Sequence, residues 1–229
     1  TIDPVDARDF DDAISVERVE GRRWRLWVHI ADVSHYVPPK SALDKEARRR
    51  GNSTYLVDRV IPMLPEELSN ELCSLKPNVD RLARSVEFVL TDSGRVEQAR
   101  FHSTVIRSKH RYAYEEAMAI LDREPQNKTE QMLHHANRLA QKLRKARFRS
   151  GALNLDVPEH KVFLDAKGRV SEVRRIENDI SHQLIEEFML LANEAVAKEI
   201  KRRRAKAVHR IHEEPDDEKL DNLRAQADN

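Results

Sequence analysis

The chain has 229 residues, 41 basic and 40 acidic, for a formal net charge of +1; 39% are hydrophobic and 35% charged. That is long and apolar enough to bury a core, so a disordered polyelectrolyte is excluded, and five glycines and nine prolines exclude collagen-like or flexible low-complexity sequence. The single cysteine, Cys73, excludes an internal disulfide framework and a cysteine zinc site and fits a reducing compartment.

In chain order, Ile14 and Val16 alternate with polar residues before Gly21, and Trp24, Leu26, Val28 and Ile30 alternate after it, which predicts a half-buried hairpin. Residues 38–82 are broken by Pro38-Pro39, Pro62, Pro65 and Pro77 around short helical stretches at 41–50 and 66–72. A second hairpin is expected from Val86, Phe88 and Leu90 through the turn Asp92-Ser93-Gly94 to a return strand from Val96 to Ile106. Helices are expected over 113–122 and 128–149, the second stopping at Ser150-Gly151. A third hairpin, 161–164 with 169–176, turns at Asp165-Ala166-Lys167-Gly168. The last strong element is a helix over 180–205, where Leu184, Ile185, Phe188, Leu191, Ala192, Ala195, Val196 and Ile200 form one apolar stripe. Residues 213–229 are acidic and poor in large apolar groups, and no closing element is expected there. No internal repeat is found. The fold class is α+β, with antiparallel β-hairpins packed against helices. No apolar run approaches the roughly 20 residues of a membrane span and no signal-peptide pattern opens the chain, so no membrane partner and a cytoplasmic location are expected. Thr1 opens directly into motif-like sequence, as in a fragment of a longer protein.

Net charge becomes informative when split by position. Residues 1–20 carry seven acids against Arg8 and Arg18, residues 138–149 six bases and no acid, and residues 198–206 six bases against Glu199. An acidic spot beside basic segments suits a metal site acting on a polyanion, although basic runs on helices also serve as solvated faces.

The acidic spot is Thr1-Ile2-Asp3-Pro4-Val5-Asp6-Ala7-Arg8-Asp9-Phe10-Asp11-Asp12, with five of the chain's 18 aspartates where chance would put about one. Carboxylates this dense repel one another unless a cation lies among them, and Mg2+ takes oxygen ligands while keeping waters for a substrate phosphate. Three readings compete. Aspartates also serve as caps and turn formers on a solvated surface. An EF-hand is excluded, because counting from Asp9 places Ile14 where the loop requires Gly. An Asp-x-Asp phosphotransferase would need an apolar strand before Asp9, and Asp6-Ala7-Arg8 is not one.

The stretch from Thr1-Ile2-Asp3 through Asp9-Phe10-Asp11-Asp12-Ala13 resembles the opening of the catalytic (RNB) domain of the ribonuclease II and ribonuclease R family. The resemblance continues through Trp27–Val37, Arg59–Pro65, Leu68–Leu75, His182–Met189 and Arg210-Ile211-His212, in the family's order, and is closer to the ribonuclease R branch. It implies Mg2+-dependent, processive hydrolysis of single-stranded RNA from the 3′ end to nucleoside 5′-monophosphates. Two ions are expected during catalysis, with Mn2+ as a possible substitute, and the protein is expected to be monomeric.

By this resemblance Asp3, Asp9, Asp11 and Asp12 are the catalytic, metal-holding acids, with Asp3 and Asp12 as direct ligands and Asp11 the most critical for chemistry. Asp6 lies between motif positions and is left out. Tyr55, Tyr114 and Glu186 match positions along the RNA path, Tyr55 near the 3′-terminal nucleotides. The basic segments could follow the phosphate backbone. Each has a plainer alternative: Tyr55 and Tyr114 as packing aromatics, Glu186 as a hydrogen-bonded acid beside the apolar stripe, the histidines as structural, and Cys73 as a small buried apolar group.

The resemblance makes residues 1–229 the larger, N-terminal part of the catalytic domain. The family's later arginine-bearing segment and its flanking OB/cold-shock and S1-like barrels lie outside this sequence. Leu155 stands where relatives often carry a base-stacking aromatic. The alternatives in other classes are an RNA-binding module or inactive fragment with the same fold, and a phosphohydrolase acting on small monoesters.

Overall fold

The computed structural model of the protein describes residues 1–153, 159–176, 178–209, 211 and 213–227. Leu155, Arg210 and His212 lie outside these residues. Two compact units are formed, Thr1–Asn193 and Glu194–Asn229.

The first unit is organised on a four-stranded antiparallel sheet. After the two-residue strand β1 (Ile2–Asp3), the expected hairpin forms as β2 (Asp12–Val19) and β3 (Arg23–Ala31). Gly21, at φ +72°, takes the left-handed conformation that lets the chain reverse between them. A helical turn α1 (Val33–Tyr36) and helix α2 (Ala42–Arg50) follow, α2 capped by the Ser41 hydroxyl, which accepts from Asp44 N–H at 3.1 Å. Strands β4 (Thr54–Tyr55) and β5 (Val60–Ile61) make a small hairpin not expected from the proline-broken sequence. Residues Glu67–Leu72 wind as a π-helical turn within the helical stretch expected there. Strands β6 (Asp80–Leu90) and β7 (Val96–Arg107) complete the sheet in the order β2-β3-β6-β7. Cross-strand partners Val16–Leu26–Phe88, Val28–Val86 and Trp24–Leu90 line one face, and all are buried.

Strand β8 (Tyr112–Ala113) leads into helix α3 (Tyr114–Leu121), and α4 (Lys128–Arg149) packs on β2 with Leu133, Ala136, Leu139 and Ala140 buried. Asn127 caps α4, its Oδ1 accepting from Thr129 and Glu130 N–H, both at 3.0 Å. The β6–β7 turn tucks under the same helix: a Cβ on Gly94 would meet the Leu143 side chain at 3.4 Å. Strands β9 (Glu159–Leu164) and β10 (Val170–Ile176) form the third hairpin. Helix α5 (Ile180–Arg202) buries the expected stripe at Leu184, Ile185, Phe188 and Ala192, but Val196 is exposed, beyond the point where the first unit ends.

One expectation is corrected. The acidic end does close on an element, helix α6 (Asp217–Ala227), started by Asp216, whose Oδ1 accepts from Lys219 N–H at 2.9 Å. Its side chains are mostly polar, so no apolar period announces it; the cap and the acids of its first turn do. Beside the antiparallel hairpins, β1 pairs with β8 in parallel, across more than a hundred residues of chain. No helix among the described residues is long and apolar enough to cross a membrane.

Candidate active site

The acidic segment is held at three points. At its start, β1 pairs Ile2 with Tyr112 and Asp3 with Ala113, and Tyr112 N–H donates to Thr1 O at 3.1 Å. In the middle, buried Ser74 acts as a clamp: its hydroxyl donates to Arg8 O at 2.7 Å and accepts from Phe10 N–H at 3.1 Å. Phe10 O accepts from Leu75 N–H at 2.9 Å, and the Phe10 ring fills a small core with Ala13, Ala31, Leu68, Cys73 and Leu75. At its end, Asp11 O accepts from Ala31 N–H at 2.9 Å as Asp12 enters β2 opposite Ile30. On either side of the buried Phe10, Asp9 is half-buried and Asp11 exposed. We expect Ser74→Ala to cost about 1–3 kcal/mol, the penalty for leaving the two backbone groups unpaired; a thermal melt equal to wild type would contradict the clamp.

The four acids of the motif share one electrostatic environment. Asp3 is buried, and burial pushes its carboxyl up against the opposing pull of Thr1 and Arg111. Asp11 is exposed yet crowded, so that desolvation and then the charges of Asp9 and Asp3 push its carboxyl up. Asp12 is pushed up to about 6, first by burial and then by Asp3. Buried oxygens on two of these acids, Asp3 Oδ2 and Asp12 Oδ2, find no hydrogen-bond partner. Two shielded carboxylate oxygens with nothing donating to them are costly unless protonated or bound by a cation. An all-oxygen donor set fits Mg2+. Among the described residues, no group of three or more His, Cys, Asp or Glu side chains makes a ready metal cage. A Mg2+ ion held by fewer than three of these carboxylates would complete its shell with water or phosphate oxygens.

The aromatics lie beside these acids. Tyr55, on β4, is 69% exposed, and its phenol is raised by partial burial and then by Asp9 and Asp11. Tyr114 opens α3 one residue after the β1–β8 pair, and its phenol is pushed up to about 12 by burial, then by Asp12, Asp3 and Asp179. Neither tyrosine is a core aromatic, since Tyr55 is exposed and Tyr114 half-buried. Glu186 is drawn instead into an ion-pair group: Arg147 Nη2 lies 3.1 Å and Arg144 Nη1 3.7 Å from its carboxylate, and both arginines also reach buried Glu187. Asp6, left out of the motif, pairs with Lys161 at 2.9 Å.

The basic segments are less open than the sequence suggests. In 138–149, Arg144 and Arg147 serve the two glutamates and Lys142 holds Asp92 at 3.1 Å, while Arg138, Lys145 and Arg149 are exposed. In 198–206, Lys198 pairs with Glu194 and Arg202 and Arg203 with Glu199. Cys73 is buried and its thiol is raised, first by burial, as for a small apolar group. His134 bonds Ile120 O at 3.0 Å and His135 meets the Trp24 ring edge-on, both structural roles. The sequence missed Arg111, whose guanidinium lies over Phe10 and bonds Pro4 O, and His182, which lies against Tyr114. No local signal marks Arg111; His182 stands inside a motif without a role of its own.

The RNB domain model matches residues 1–229 of the chain. The chain belongs to the RNB domain family. Ribonuclease R of Thermotoga maritima is 46% identical over 230 residues, covering 98% of this chain and 32% of that protein. Ribonuclease R of Escherichia coli K12 is 41% identical, covering 98% of this chain and 28% of that protein. Among solved structures, Mycoplasma genitalium RNase R in complex with double-stranded RNA superposes with a TM-score of 0.93 at 31% identity, over 100% of this chain and 41% of that one. This RNB domain thus spans about a third of the length of the curated relatives it matches. Its mixed fold with antiparallel sheets is the one expected from the sequence.

Proposed function

We propose that the protein is a Mg2+-dependent 3′-to-5′ exoribonuclease that hydrolyses single-stranded RNA processively to nucleoside 5′-monophosphates. Residues 1–229 would form the larger, N-terminal part of its catalytic domain. The observation that carries this reading is the pair of unpartnered, buried oxygens on Asp3 and Asp12 within a four-acid cluster flanked by Tyr55 and Tyr114. Bound there, divalent cations would supply an activated water and stabilise the departing oxygen, and two ions suit an in-line displacement. Asp3, Asp9, Asp11 and Asp12 would hold them. The exposed Tyr55 ring offers a stacking surface for terminal bases, and Tyr114 a phenol beside the acids. Glu186, which matches a position along the RNA path, would face the strand from its ion pairs with Arg144 and Arg147. A monomer in the cytoplasm fits this activity.

The test is a time course on 5′-labelled single-stranded RNA in Mg2+ and in chelator, using the full-length protein. A ladder shrinking from the 3′ end only in Mg2+ supports the reading. Binding without cleavage indicates an RNA-binding module, and release of phosphate from nucleotide monoesters with indifference to RNA indicates a small-substrate phosphohydrolase. In the same assay, Tyr55→Ala is expected to lengthen the limit product rather than stop hydrolysis. An unchanged final product would remove Tyr55 from the RNA path.

A further inference from the structure

The ring of Tyr114 lies nearly flat on the imidazole of His182, with centroids 3.8 Å apart and planes inclined by 12°. Aromatic pairs commonly sit offset or edge-to-face with centroids about 4.5–7 Å apart. A closer parallel contact restricts the tilt of both rings. The imidazole is itself fixed from behind: His182 Nδ1 lies 2.8 Å from Asp179 Oδ1. The same oxygen accepts the backbone N–H groups of Ser181 and His182 at 3.0 and 3.2 Å and the Ser181 hydroxyl at 2.6 Å. Ser181 is fully buried, so this anchor is part of the packed start of α5. Although burial pushes the Asp179 carboxyl up, its bonds to Ser181 and His182 hold it below the usual carboxylate range, as suits a charged acceptor. The short contact to Asp179 sets the plane of the imidazole.

Tyr114 also lies near the acid cluster. It follows Ala113, the register partner of Asp3, and the charges that act on its phenol are those of Asp12, Asp3 and Asp179. Contacts therefore run from the cap of α5 through one imidazole to a phenol near the acids, joining two elements far apart in sequence.

We propose that His182, held by Asp179, is a positioning residue that fixes the ring of Tyr114, so that the phenol meets the RNA strand in one orientation beside Asp3 and Asp12. This rests on the exoribonuclease reading above and adds two residues to it. Misplacing a group at a reacting centre by a fraction of its size lowers turnover more than it lowers binding. His182 thus governs the rate of the bound strand, and its effect is transmitted only through Tyr114.

The experiment measures kcat and KM on single-stranded RNA for the full-length wild type, His182→Ala, His182→Phe, Tyr114→Ala and the Tyr114→Ala/His182→Ala double variant, with thermal melts of each. His182→Ala is expected to lower kcat about ten-fold while KM moves less than about three-fold. His182→Phe keeps a flat ring against Tyr114 but loses the bond to Asp179, so it is expected to fall between the alanine variant and wild type in kcat, which also serves if the alanine variant folds poorly. The double variant is expected to be no slower than Tyr114→Ala alone, because a residue acting through Tyr114 has nothing left to position. Losses that multiply in the double variant, or a phenylalanine variant that folds yet is as slow as alanine, overturn the proposal. A wild type that leaves RNA intact overturns the exoribonuclease reading itself and the inference with it, an outcome distinct from an active wild type with independent losses.

Discussion

Asp11→Asn is expected to abolish hydrolysis of single-stranded RNA, a loss of at least about a thousand-fold or roughly 4 kcal/mol of transition-state stabilisation, while RNA binding stays within about three-fold of wild type. The substitution is nearly isosteric. What Asp11 contributes to the fold comes from its backbone carbonyl, which accepts from Ala31 N–H at 2.9 Å, and an asparagine keeps that bond. Its side chain is exposed beside Asp9, Asp3 and Tyr55, where a carboxylate's charge serves a cation or a polarised water and an amide does not. Filter binding and a gel time course on the same preparation check both halves. Parallel loss of binding, or a lowered melting temperature, would make Asp11 a structural residue instead.

Asp12→Asn is expected to stabilise the cation-free protein at neutral pH even as it removes activity. In the folded chain burial and Asp3 raise the Asp12 carboxyl to about 6, whereas in the unfolded chain it titrates near 3.8. The folded state then binds the Asp12 proton more tightly, so this group's contribution is most favourable below about pH 4, declines as pH rises towards 6, and is flat above. A neutral asparagine removes that decline. The gain over wild type should be absent at pH 4 and reach up to about 3 kcal/mol at pH 7, from two units at 1.36 kcal/mol each. That corresponds to several degrees of melting temperature for a domain of this size. Mg2+ should raise the wild-type melting temperature at pH 7 and do so far less in the variant, because the cation relieves the same repulsion. Melts with and without Mg2+ across pH 4–8 decide it; a variant less stable than wild type at pH 7 without metal contradicts the crowded-carboxylate account.

Much of this protein is legible residue by residue. The alternation Trp24, Leu26, Val28 on one strand and Val86, Phe88, Leu90 on another specified the sheet, since a period of two has one buried face and one register that keeps it buried. Ser150-Gly151 marked the end of α4, because a helix stop answers to local backbone demands. The aspartate density at 3–12 marked that segment as a candidate cation site, because like charges at such spacing repel one another.

What the chain's order could not supply was which distant segments meet. Nothing in Ile2-Asp3 announces a parallel pair with Tyr112-Ala113, yet that pairing puts Tyr114 beside Asp3 and Asp12. Ser74 reads as an ordinary loop serine, and only folding shows its hydroxyl spanning Arg8 and Phe10. Arg144, Arg147 and Glu186 read as a basic run and a lone acid until α4 and α5 lay them together and spend their charges on each other. Local spacing and propensity therefore determined the main elements and marked the candidate site. The partners of each charged group were decided by tertiary contacts, because a contact between remote residues carries no periodic signal and its energy exists only once the intervening chain has folded.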